Sequence, residues 1–244
     1  MFYLRRFPHP NVVQVFGAFE EKGVLYMVME YVAHSLRSKS VVRKVDLVRV
    51  LADVARALAR LHAAGHVHRD VKARNVLVQR GPGYCAKLCD FGMACNVAFE
   101  RSLSPQMITL WYRAPEVLLG SEHYGTAVDV WALGCVVYEM CWLRAPFIAT
   151  AEMKMLEQVF DALGVPSAVH DAPVRFEYAR RASAVPERIA QSGALAAILG
   201  QMLELEPLAR PAAQAVLAAL SDLRTPEARA DTGGKRKRGS LAAD

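Results

Sequence analysis

Within eight residues the sequence sets an aspartate, a lysine and an asparagine in one polar run, His68-Arg69-Asp70-Val71-Lys72-Ala73-Arg74-Asn75. Fifteen residues after Asn75 a second aspartate stands in Asp90-Phe91-Gly92, and Ala114-Pro115-Glu116 follows. Phosphoryl transfer requires residue types of this kind. It needs a carboxylate to orient the attacking hydroxyl, a cation on the transferring phosphate, and hard oxygen ligands for magnesium. Taken alone, Asp70 also reads as a loop carboxylate capping a turn. The three segments in this order single the region out.

The elements that must position these residues are legible around them. Val12 to Phe19 and Val24 to Tyr31 are apolar β-type runs split by Glu20-Glu21-Lys22-Gly23, which predicts a hairpin. From Asp46, apolar residues fall at Leu47, Val50, Leu51, Val54, Leu58 and Leu61, the spacing of one helix face, and stop before Gly65. Short strands are expected at Val76 to Gln79 and Ala86 to Cys89, around a Gly81-Pro82-Gly83 turn. Asp90 to Ser121 is a long irregular stretch, the kind that carries function in a compact domain. Val128 to Cys141 is apolar nearly all round and predicts a helix buried in a helical layer. Further helices are expected at Ala151 to Leu163, Ala194 to Leu205 and Ala212 to Leu223, with a disordered tail from Thr225.

Composition sets the frame. The 244 residues are 53% hydrophobic and 22% charged, the range of a globular chain with a sizeable core. Of the net charge of +6, Lys235-Arg236-Lys237-Arg238 supplies four, so the body is nearly neutral and lacks the concentrated basic face that nucleic-acid binding needs. Five cysteines, at 85, 89, 95, 135 and 141, form no CxxC pair, which points to buried thiols in a reducing compartment. Asp129 and Glu139 interrupt the longest apolar run, so no membrane span is expected. Residues 1–11 carry Arg5 and Arg6 without an apolar run, so no secretory signal is expected. Nucleus or cytoplasm is the expected location.

From about His9 to Leu223 the sequence resembles the eukaryotic protein kinases, on the catalytic-loop, metal-binding and anchor segments quoted above. The resemblance implies an α+β protein kinase-like fold, mostly helical in its large lobe, with a remnant of the small β lobe. It divides the chain into a small-lobe and hinge remnant at 1–34, a large lobe at 35–224 and a basic tail at 225–244. It implies Asp70 as catalytic base, Lys72 on the γ-phosphate, Asn75 and Asp90 as magnesium ligands, and ATP with Mg2+ as the cofactors. Lys72 two residues after Asp70 leans toward serine/threonine kinases, although Ala73-Arg74-Asn75 looks like the tyrosine kinases. The segment Thr109-Leu110-Trp111-Tyr112-Arg113-Ala114-Pro115-Glu116 looks like the cyclin-dependent kinase group. There Thr109 would hydrogen-bond near Asp70 and Lys72, and Arg113 would shape a pocket that accepts proline, which lacks an N–H. Val128 to Gly134 resembles the buried helix whose aspartate braces the catalytic loop, Leu163-Gly164-Val165-Pro166 resembles an insert of the same group, and Arg210 is the expected ion-pair partner of Glu116. For adenine, Met29 would be the gatekeeper, the backbones of Glu30 and Val32 would bond the base, and Leu77 would form the floor.

The pattern also departs from the family. No GxGxxG and no VAIK-like stretch occurs in the sequence, and His9-Pro10-Asn11 resembles the segment that follows those elements in a complete kinase. The reading is therefore an N-terminally truncated product or a chain that relies on another polypeptide, with impaired activity. Cys95 stands where an arginine usually helps to hold the phosphorylated loop, Arg69 is retained, and Ser104 takes the phosphosite position. The helix that would contact a cyclin is not found, so protein substrates are implied as partners but a cyclin-type activator is not. The basic cluster at 235–238 reads equally as a nuclear import signal or a solvated tail. The preferred function is a serine/threonine kinase acting on proline-directed sites. The alternative is a noncatalytic, pseudokinase-like interaction module, and a basic-tailed nucleic-acid binder ranks last.

Overall fold

In the computed structural model, residues 8–38, 46–79, 85–96, 109–121, 124–165 and 183–223 are described. The chain opens with an antiparallel hairpin, β1 (Val15–Glu21) and β2 (Val24–Met29). Lys22 and Gly23 between them both have positive φ, 53° and 76°, the handedness that matches the twist of a two-residue hairpin. The directly opposed Phe19 and Tyr26 stack at 5.1 Å. Every residue of β2 is exposed, Leu25 to 67%, so this apolar strand is open on both faces.

The predicted helix from Asp46 is α1 (Leu47–Ala63), and Asp46 caps it by accepting from the Arg49 N–H at 3.1 Å. Its buried stripe holds Val50, Leu51, Val54, Leu58 and Leu61, and Arg60 and His62 sit in the last turn where positive charge suits the helix dipole. β3 (His34–Ser35), β5 (Val76–Gln79) and β6 (Cys85–Leu88) form an antiparallel sheet in the order β3-β5-β6, and α1 packs on β6. Buried Asp53 locks that contact by accepting from the Ala86 N–H at 3.0 Å while pairing with Arg56 at 2.7 Å. Asn11 joins the same network, donating to the Ala86 carbonyl at 3.0 Å and accepting from Arg56 at 3.1 Å, and so ties the segment before the hairpin to the body.

Between α1 and β5 lies β4 (His66–Val67), which pairs with β7 (Cys95–Asn96). The helices α2 (Pro115–Leu118), α3 (Ala127–Trp142), α4 (Glu152–Leu163), α5 (Val185–Ala190), α6 (Ala196–Met202) and α7 (Ala213–Asp222) complete the body. α3 is the axis: it is buried nearly all round, as its composition predicts, and its Trp131 is fully buried and stacks on Phe147 at 5.9 Å. Gly134 on α3 lets α6 approach, since a Cβ there would lie 3.0 Å from Leu203 and 3.1 Å from Met202. α7 lies along α1. The helix expected at Ala194 to Leu205 is shorter, because Gly193–Leu195 winds as a 3-10 turn before it. No helix among the described residues is long and apolar enough to cross a membrane. Ser104, Pro166 and the expected tail at 225–244 lie outside the described residues.

Candidate active site

β4 and β7 bracket the candidate loop at 68–75 and the turn after Asp90. From β4 the chain passes through His68 and Arg69 to Asp70, and from Asp90 it makes a 3-10 turn over Phe91–Met93 into β7. One buried carboxylate holds the loop. Asp129, in the first turn of α3, accepts from the His68 N–H at 2.8 Å and the Arg69 N–H at 2.9 Å, and pairs with His62 Nε2 at 2.8 Å. Arg69 takes a left-handed φ of 67°, which a non-glycine residue adopts only when its surroundings impose it. Burial works to raise the Asp129 pKa, but the hydrogen bond and charge of His62, with the backbone N–H of His68, outweigh it and hold the carboxyl below its usual value. His68 is itself fully buried. Its Nδ1 accepts from the Asp70 N–H at 3.2 Å, so the ring proton sits on Nε2, 3.2 Å from the Cys89 carbonyl. Burial lowers the His68 pKa, and this neutral tautomer uses both nitrogens.

Around Asp70 the structure gathers three of the predicted side chains. Lys72 Nζ donates to Asp70 Oδ2 at 2.6 Å and Oδ1 at 2.9 Å, and to Thr109 Oγ1 at 3.0 Å. Thr109 in turn donates to Asp70 Oδ1 at 2.8 Å, across 39 residues of sequence. Asn75 Nδ2 donates to the Asp70 carbonyl and to Oδ2, both at 2.9 Å. With its amide nitrogen so engaged, Asn75 turns its hard carboxamide oxygen to other use. Asp90 is brought alongside by the backbone, because the Cys89 N–H donates to the Asn75 carbonyl at 2.9 Å. Asp90 is exposed, has a φ of 62°, and its Oδ1 lies 3.4 Å from the Gly92 N–H, where a Cβ on residue 92 would crowd it at 3.2 Å. That backbone link sets two hard oxygen donors, Asn75 and Asp90, on adjoining stretches of chain, the donor type that fits magnesium. The Cys89 thiol between them is pushed up to about 11, first by burial and then by Asp90 and Asp70, so no thiolate competes there.

The other predicted residues lie elsewhere. Arg69 donates from Nε to the Met93 carbonyl at 2.5 Å. Arg113 is buried and pairs with Glu152 at the start of α4. Met29 ends β2, 46% exposed; Val32 is buried and Leu77 is half-buried on β5. The Glu30 N–H is already donated to the Gln14 carbonyl at 2.8 Å, and its carboxylate pairs with Lys87 of β6 at 3.0 Å. Further along, Glu116 and Arg210 form a two-pronged ion pair at 2.7 Å and 2.7 Å, with Arg210 lying over Trp131 at 5.1 Å. Sequence reasoning missed His62, Asp53 and Glu152: each is a polar side chain whose partner lies outside any short motif.

The protein kinase domain model matches residues 1–220. Among curated relatives, the chain is 37% identical over 166 residues to the probable CTD kinase subunit alpha homolog of Encephalitozoon cuniculi, covering 66% of this chain and 50% of that protein. It is 35% identical to the CTD kinase subunit alpha of Schizosaccharomyces pombe, over 70% of this chain and 29% of that protein. It is 34% identical to the cell division control protein 2 homolog 3 of Trypanosoma brucei brucei, over 67% and 54% of the two chains. The chain thus spans about half or less of the length of the curated relatives it matches. Among solved structures it is similar to the yeast RNA Pol II CTD kinase CTDK-1 complex, with a TM-score of 0.75 and 26% identity over 88% of this chain and 77% of that one.

Proposed function

Because the chain belongs to the protein kinase family, in its cyclin-dependent kinase-like group, we propose that it transfers the γ-phosphate of ATP to serine or threonine hydroxyls followed by proline. The observation that carries this reading is the convergence of Lys72, Asn75 and Thr109 on the single carboxylate of Asp70. Three donors hold that carboxylate in place, as a group that orients an acceptor hydroxyl must be held. The acceptor oxygen forms its bond to the γ-phosphorus, the bond to ADP breaks, and the hydroxyl proton passes to Asp70. Lys72, within reach of the same oxygens, meets the charge of the transferring phosphate. Asn75 and Asp90 would hold Mg2+, which would supply positive charge to offset that of the phosphates. At the adenine end the Glu30 carbonyl and the Val32 backbone serve the base, with Met29 and Leu77 as apolar walls. Arg113, its charge met by Glu152, shapes a pocket with no acceptor demanding an N–H from the residue after the target, which suits proline. Ser104 is proposed as the regulatory position whose phosphate would pair with Arg69. Residues 1–34 then act as small lobe and hinge, and 35–224 as large lobe. The names of the relatives favour the nucleus as the place of action and protein as the substrate.

Assayed as these 244 residues, the polypeptide turns over slowly, because the sequence carries no GxGxxG to position the phosphates. The test is a peptide phosphorylation assay beside a Mg-ATP titration. The expected result is transfer below the ~1 to 100 per second of ordinary kinases, lost in Asp70→Asn while nucleotide binding survives, with Asp90→Asn losing both. Transfer that is insensitive to Asp70→Asn overturns the reading.

A further inference from the structure

Beside the Asp70 cluster a cavity of about 320 Å³ is lined by Arg37, Lys72, Arg74, Thr109, Tyr112 and Glu139. Lys72 and Thr109 belong to the Asp70 cluster, so the cavity adjoins that cluster through these two side chains. Its two arginines come from separate elements: Arg74 from the 3-10 turn Ala73–Asn75, and Arg37 from just beyond β3. Both are exposed, and among the described residues neither has a hydrogen-bond or ion-pair partner, unlike Arg56, Arg69, Arg113, Arg188 and Arg210, which are all engaged. The other charges lining the cavity are already met. Lys72 rests on Asp70 at 2.6 Å. Glu139 accepts from the Tyr112 hydroxyl at 2.6 Å, and burial together with that bond raises the Tyr112 pKa, so the phenol stays a neutral donor. Two unpaired guanidinium groups therefore face the cavity against one carboxylate that is already occupied.

We infer that this cavity selects protein substrates with an anionic side chain, a carboxylate or a phosphate, close to the accepting hydroxyl, and that Arg37 and Arg74 recognise it; the inference rests on the kinase reading of the same cleft. A single exposed arginine is ordinarily just a solvated charge. Two that converge on one cavity from different elements make a fork, and the planar guanidinium presents paired N–H donors that match carboxylate and phosphate oxygens. A lysine or arginine at the same place in a substrate meets like charge. Proline after the target and an anion near it are independent requirements, since Arg113 and Glu152 do not line this cavity.

The test uses the 244-residue chain and fluorescent peptides with one Ser-Pro acceptor in an alanine background. Asp, phosphoserine, Ala or Arg is walked through three positions on either side. Binding is read by anisotropy, and phosphorylation with Mg-ATP is measured in parallel. At one or two positions the Asp peptide should bind roughly threefold tighter than the Ala peptide and the phosphoserine peptide about tenfold, as expected for exposed charge-assisted contacts. The Arg peptide should bind more weakly than either. Arg37→Gln and Arg74→Gln should each remove part of the preference without changing affinity for the Ala peptide, and Arg74→Glu should favour the Arg peptide. Because both residues are exposed, unchanged thermal melts are expected of every variant. A gain with both anions assigns the site to encoded acidic residues, and a gain with phosphoserine alone assigns it to previously phosphorylated substrates. Absence of phosphate transfer to every peptide overturns the kinase reading, while the anisotropy series still decides the inference. Affinities indifferent to peptide charge, no measurable binding of any peptide, or a preference that survives the Arg37→Gln, Arg74→Gln double variant overturns the inference itself.

Discussion

Replacing Asp129 by asparagine changes one buried oxygen for an NH2 group and removes one charge, and the structure says what that does. The carboxylate has no exposure and three partners that need an acceptor: the N–H groups of His68 and Arg69, and His62 Nε2. An asparagine oxygen can serve the two on one side, but its nitrogen then faces a third donor. Hydrogen bonds to charged groups contribute about 1.5–3 kcal/mol each and neutral ones about 0.5–1.5. Two bonds therefore weaken by about 1 kcal/mol apiece, and one is lost at about 2 kcal/mol or more. Relief from burying a charge offsets part of this, leaving a net loss of about 3 kcal/mol. For a chain of this size each kcal/mol moves the melting temperature by about 2–4 °C, so Tm should fall by about 6–12 °C. Calorimetry at neutral pH, with Glu157→Gln in the surface pair Lys154–Glu157 as a control expected to move little, measures it. Substrate affinity should also fall, because the Arg69 backbone, released from its left-handed φ, no longer fixes the next residue, Asp70. A melting point within ~2 °C of the parent would refute the claim that Asp129 holds the loop together.

Acidification from neutral pH should destabilise the protein through His68. The folded pKa of His68 lies below its ordinary 6.5, chiefly through burial. Stability tied to its neutral form is therefore complete above 6.5 and is lost as pH falls from there toward the folded value. Melts from pH 7.5 to 5 should show a declining Tm, and a His68→Gln variant should show a flatter slope over the same window. Glu116→Ala should cost about 3 kcal/mol in chemical denaturation, since it leaves the fully buried Arg210 guanidinium without its carboxylate; a loss under ~1 kcal/mol would show that the carbonyls of Glu204, Leu205 and Ala127 suffice for it.

Much of the site was legible because its residues lie close in sequence. Asp70, Lys72 and Asn75 share one loop, and Asp90 follows after a short sheet connection whose strands carry clear signals. Helices α1, α3 and α4 were visible through their apolar periods and ended within a residue or so of expectation. Two-residue strands such as β3, β4 and β7 have no period to read, and α2 and α5 are too short to show a face. The bracing partners were hidden for a different reason. His62 meets Asp129 across 67 residues, and Asp53 meets the Ala86 N–H across 33, so only the folded chain brings them together. The hairpin was legible as a hairpin, but its cover was not: composition does not say whether anything lies over Val24 to Met29, and here every residue of that strand is exposed.

Helix α3 works as a gauge block for the cleft. Near its first turn Asp129 sets where the catalytic loop stands, and near its far end Glu139 holds the Tyr112 hydroxyl and with it one wall of the arginine-lined cavity. At 1.5 Å of rise per residue these two reference points are about 15 Å apart along one rod, with Gly134 midway seated against Met202 and Leu203. The separation between the Asp70 loop and that cavity wall is thus calibrated by helix pitch, a length that loops cannot stretch. Any disturbance at the seat would tilt both jaws together and spoil alignment at two places from one point that touches neither.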